Sequence, residues 1–151
     1  MLAFFVNIFL YPNIYYRANL NYMINCGKTT LVIKMKENVL IDKSIKFAAR
    51  IVKLQKYLSA EKKESVISRQ IIRSGTSIGA NINEANYGNS KADFISKLHI
   101  ALKETAETEY WIKLLNMSEY IDDEISDSLI KDCLELKRLL ISSINTAKSN
   151  K

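Results

Sequence analysis

The chain has 151 residues, 48% of them hydrophobic and 25% charged, and its 22 basic and 16 acidic side chains give a formal charge of +6. That length suits one domain with a real core, and the apolar content argues against intrinsic disorder. Two cysteines, Cys26 and Cys133, are too few and too isolated for a disulfide framework or a zinc site, which points to a reducing cytoplasm.

Residues 1–34 read differently from the rest. They hold three basic residues, Arg17, Lys28 and Lys34, and no acidic one. The apolar run Leu2 to Tyr11 is too short to span a bilayer, and the first positive charge follows that run, where a secretory signal needs it ahead. Richness in Phe, Asn, Ile and Tyr is what AT-rich codons yield without selection for a fold. The expectation is therefore a leader unrelated to the fold, with Met35 as the true start; the alternative is a short membrane-associating or targeting leader. Gly27-Lys28-Thr29-Thr30 looks like the end of a phosphate-binding loop. That loop needs a glycine where Tyr22 stands, and no strand is expected before it, so an ATPase is set aside.

From Met35 onward there is no proline and only three glycines, the composition of long helices joined by short polar turns. The first helix is predicted over Glu37–Leu58. On it Leu40, Ile41, Ile45, Phe47, Ala48, Ile51, Val52, Leu54 and Leu58 cover about half the circumference. Lys36, Lys43, Lys46, Arg50 and Lys53 fall on a separate stripe, with no aromatic ring interleaved and only Phe47 and Leu54 at its edge.

The second helix is predicted over Lys63–Tyr87, with Ser59 or Ser65 near its start. Its run Ser74, Gly75, Ser77, Ile78, Gly79, Ala80 would weaken an isolated helix, because each glycine costs about 0.5–1 kcal/mol relative to alanine. Gly75 and Gly79 are four apart and share a face, so a close helix–helix approach is the main reading; exposed hydroxyls and Asn81 contacting a ligand is the other. Gly88-Asn89 forms the next turn, and Ser90 with Asp93 makes a variant capping box for a third helix ending near Met117. Asp122 or Asp123 caps a fourth, carrying Ile125, Leu129, Ile130, Cys133, Leu136, Leu139, Leu140 and Ile144. Short connections imply an all-α, up-down-up-down antiparallel four-helix bundle over residues 35–151.

Charged residues within the bundle bear on chemistry. Arg73, Glu84 and Glu109, the last beside Tyr110-Trp111, are candidates for a buried polar network; the plainer reading is solvated charge. A ferritin-like metal site needs two Glu-x-x-His units, but the only histidine, His99, is preceded at that spacing by Ser96. No metal, cofactor or catalytic constellation is expected, hence no enzyme. Residues 35–80 carry ten basic and four acidic side chains, and residues 81–151 carry nine and twelve. Three readings follow: basic helices beside acidic ones within one subunit, complementary contact between subunits, or an outward stripe of Lys43, Lys46, Arg50 and Lys53 on nucleic-acid phosphates. Binding of the last kind would tolerate any sequence and weaken with salt.

The run RSGTSIGANINEA from Arg73, preceded by Arg69 in SRQIIRSGTSIGAN, resembles the family of proteins encoded in intervening sequences of bacterial 23S ribosomal RNA genes. So do SKADFISKLHIAL from Ser90 and the stretch Glu104 to Leu115, and the resemblance runs from Met35 nearly to the end. It implies four-helix bundles assembled into homopentameric rings; from the residues themselves, Arg73, Gly75, Gly79, Glu84, Glu109 and Trp111 are the expected packing or interface positions. Related accessory proteins of diversity-generating retroelements bind a reverse transcriptase and its RNA template. The implied role is a cytoplasmic scaffold with no membrane association, partnered by RNA, DNA, a reverse transcriptase or another protein. A purely structural bundle with a protein partner is the alternative.

Overall fold

Four amphipathic stretches become four long helices: α1 Val39–Ala60, α2 Ile67–Ala85, α3 Lys91–Met117 and α4 Asp123–Ser149. The computed structural model describes residues 22–26, 29–33 and 38–149. Asn38 caps α1 by accepting from the Ile41 amide, and Ser90 caps α3 by accepting from Asp93 at 3.1 Å. The Asp93 carboxylate in turn accepts from the Asn89 amide at 3.3 Å, one residue ahead of the cap, so the reciprocal bond of a standard capping box is displaced by one position. Asp122 caps α4, accepting from Ile125 at 2.8 Å.

The start of α2 corrects the sequence reading. Neither Ser59 nor Ser65 caps it; the Glu64 carboxylate accepts from the amides of Val66, Ile67 and Ser68 at 2.7, 2.8 and 2.7 Å. A longer acidic side chain thus reaches three of the unpaired donors at once.

Consecutive helices pack on one another and α1 returns against α4, the slimmest of the four contacts. The connections span 61–66, 86–90 and 118–122, too short for anything but antiparallel neighbours. At the centre lie Phe47, Ile51, Leu58, Ile71, Ile78, Leu98, Ile112, Leu136 and Leu140. On α1 the core stripe is narrower than expected. Leu40, Phe47, Ile51, Leu54 and Leu58 are buried, with Ser44 among them, while Ile41, Ile45, Ala48 and Val52 are only half-buried. The last four form a neighbouring row at three- and four-residue spacing, turned away from the bundle axis.

The chain divides into two compact units, Met1–Lys36 and Glu37–Lys151. In the first, β1 (Tyr22–Cys26) and β2 (Thr29–Ile33) pair antiparallel, with Cys26 opposite Thr29. A strand does therefore precede Gly27, contrary to the sequence reading. The phosphate-loop reading still fails, because Thr29 and Thr30 enter an antiparallel strand where that loop opens a helix. Gly27, Lys28 and the start at Met35 lie outside the described residues. Among the described residues no helix is long and apolar enough to cross a membrane.

Candidate nucleic-acid interface

The cations of α1 divide into two kinds. Lys43 and Arg50 lie on the flank toward α4. Lys43 Nζ is 2.8 Å from Glu135, and Arg50 pairs with Asp132 while donating to the Ser128 hydroxyl at 2.8 Å. The carboxyl of Glu135 is held below its ordinary range chiefly by the Lys43 hydrogen bond. Lys46 and Lys53, seven residues apart and so on one line, are exposed and make no ion pair among the described residues. Lys36 lies outside the described residues.

One aromatic belongs to this row. Tyr57 follows Lys53 by four residues and Arg50 by seven, and it is 38% exposed. Phe47 and Leu54, the residues placed at the stripe's edge by sequence, are buried at 1% and 6%. The 100° rule puts Tyr57 in line with the cations one turn beyond the last lysine of the stripe, so the signal stood in the sequence. Lys62 Nζ sits 5.9 Å from the Tyr57 ring centroid. Arg50, Lys53, Leu54, Tyr57, Ile125 and Ser128 are among the residues lining an open groove of about 460 Å³ between α1 and α4.

The packing residues fall elsewhere. A Cβ built on Gly75 would stand 2.9 Å from two Ile51 side-chain carbons, so α1 and α2 touch here as closely as the missing side chain allows. The contact at Gly79 is looser, 3.4 Å to the Ser44 hydroxyl. Asn81 turns back to its own helix, donating to the Ser77 carbonyl at 2.9 Å. Arg73, Glu84 and Glu109 do not meet in one network. Arg73 is mostly exposed and pairs with Glu107 at 3.3 Å, and Glu84 accepts from Lys97 at 2.5 Å. Only Glu109 is nearly enclosed, bridging Lys113 at 2.6 Å and Lys137 at 3.0 Å. These two lysines hold its carboxyl below the ordinary range against the cost of burial. The separation is geometric: Arg73 and Glu84 lie on flanks of α2 facing α3, and Glu109 lies on the flank of α3 facing α4. Trp111 packs against the core, meets Tyr110 edge-on at 4.9 Å, and donates to Glu107 at 3.2 Å.

Chemistry finds little purchase on these residues. Burial pushes the Cys133 thiol up to about 12, so it stays protonated and unreactive near neutrality. Among the described residues no group of three or more His, Cys, Asp or Glu side chains could hold a metal ion.

Comparison with known proteins adds the family. The model of the 23S rRNA-intervening sequence proteins matches residues 36–142. The chain belongs to that family. A similar solved structure is that of a protein of unknown function from the S23 ribosomal protein family of Bacteroides thetaiotaomicron. It is 58% identical to this chain, with a TM-score of 0.70, covering 70% of this chain and 98% of its own length. No curated protein matches. The family match reaches all four helices of the bundle, and neither description names a reaction.

Proposed function

We propose that the protein is a non-enzymatic, cytoplasmic bacterial scaffold that holds nucleic acid by its phosphates along the outer face of α1. The supporting observation is the line of Lys46 and Lys53, exposed, without an ion pair among the described residues, and flanked by Lys43 and Arg50. The two flanking cations are held in part-exposed ion pairs with α4, so their charge is partly neutralised and Lys46 and Lys53 carry the contact. Two such lysines per subunit make a weak site. Assembly into the homopentameric ring that the resemblance implies would repeat the row and raise avidity without any new contact.

RNA binding measured across a salt series tests this. The informative variant is Lys46→Glu/Lys53→Glu, since reversing Lys43 and Arg50 as well would break the α1–α4 pairs and confuse binding with folding. The expected result is binding that weakens steeply with salt in the wild type. In the variant the log–log slope should shrink by about 0.7 for each single-strand phosphate that the protein ceases to neutralise. Failure of the wild type to bind RNA or DNA at low salt sinks the reading.

A protein partner is the second reading, and it has its own observation. Met117 and Tyr110 on α3 are 83% and 58% exposed, with the half-buried Leu114 between them on the same face. Exposed apolar side chains grouped in this way suit another protein, such as a reverse transcriptase, better than a phosphate backbone.

A further inference from the structure

We infer that Tyr57 is a base-stacking platform, so that the α1–α4 groove takes an unpaired nucleotide and the protein prefers single-stranded nucleic acid to duplex. The inference rests on the phosphate-contact reading above and adds to it the form of the ligand. Lys46, Arg50, Lys53 and Tyr57 follow one another at spacings of four, three and four along one face of α1, so a backbone tracking the lysines passes the ring. The ring lies at the open groove and 38% of the residue is solvent-exposed, although an aromatic of this size buries well when a bundle offers it room.

The surroundings divide the labour. Leu54 and Ile125 give the groove an apolar floor suited to the face of a base. Lys53 stands one turn before the ring and has no carboxylate partner among the described residues, which leaves it for the neighbouring phosphate. Arg50 is held by Asp132 and Ser128 and serves as a wall. Glu124 also lines the groove and disfavours phosphate on the α4 side, keeping the backbone over α1. Lys62 Nζ lies over the Tyr57 ring at 5.9 Å from its centroid, a further cation beside the stacking position. Inside a duplex the base faces are occupied by their neighbours, so a lone tyrosine beside phosphates stacks on an unpaired base and not on an interior pair.

The test is a fluorescence-anisotropy titration of the full chain with an oligouridylate of about twelve nucleotides and with a G·C-rich hairpin duplex closed by a short loop. The wild type is expected to bind the single strand more tightly. Tyr57→Ala should lose about 5- to 150-fold on the single strand, little on the duplex, and keep the salt slope. Tyr57→Phe should bind as wild type. Tyr57→Leu retains apolar packing without a π face and should behave as Tyr57→Ala, which keeps the test valid if the alanine variant misfolds. Tyr57→Ala and Tyr57→Leu variants that bind the single strand as well as wild type overturn the stacking inference while leaving phosphate binding intact. A Lys46→Glu/Lys53→Glu protein that binds both forms undiminished overturns the phosphate reading instead.

Discussion

Glu64 carries more of the fold than its place in a polar turn suggests. It is 7% exposed, and burial raises its pKa, but hydrogen bonds from the amides of Ile67, Ser68 and Val66, with the Ser68 hydroxyl, outweigh that and leave the carboxyl below its ordinary value of 4.5. A carboxyl that titrates lower in the folded chain than in the unfolded one stabilises fully above the unfolded value and less as pH falls through the folded one. Glu64→Gln should therefore cost about 0.5–2 kcal/mol near pH 7, the range of helix caps. The gap between variant and wild type should close on acidification below 4.5, which urea melts across pH 3 to 7 would record. A gap that stays constant with pH would mean the charge on Glu64 contributes nothing. The sequence reading missed this cap because serine and aspartate are the usual first choices. Glu64 reaches its donors only because Lys63, at φ 54°, folds the chain back so that the Glu64 amide bonds the Leu58 carbonyl at 3.0 Å.

The contact between α1 and α2 shows what a glycine pair means when its two members are separated. Both were legible as a face of close approach, and the structure ranks them. Gly75→Ala forces a Cβ into Ile51, a β-branched residue with no slack, and should cost about 1–3 kcal/mol as overpacking. Gly79→Ala meets only ordinary contact with Ser44 and gains helix propensity, so it should be neutral or stabilise by up to about 1 kcal/mol. Thermal melts of the two single variants decide it; equal destabilisation would show that the close approach is shared. The end of α3 was legible in position only. No glycine stands there, yet Glu119 takes the left-handed conformation at φ 59° and the Tyr120 amide closes on the Leu115 carbonyl at 2.9 Å. The sequence reading placed the end near Met117, where the helix does end, but named no residue that caps it.

The division at Lys36/Glu37 suggests that the bundle folds unaided, and we expect the chain beginning at Met35 to unfold at the same temperature as the full chain, measured by circular dichroism. A drop of more than a few degrees would show that residues 1–34 contribute to stability. Four helices, their order, most of their core stripes and the family were all readable without coordinates. Periodicity, cap residues and short connections are local properties, and local properties are written in consecutive residues. The pairing of charges was not. The excess of basic residues before position 80 and acidic ones after it was visible, and it fitted both internal pairing and an outward patch. Lys43 and Lys46 look alike in the sequence. Three positions of helical rotation turn one toward Glu135 and leave the other in solvent, and that difference exists only once α4 lies alongside α1. The same holds for Tyr57 and for the separation of Arg73, Glu84 and Glu109. A helix face is a property of one element, whereas a partner across a groove is set by how two elements pack, and that packing is decided by the whole core.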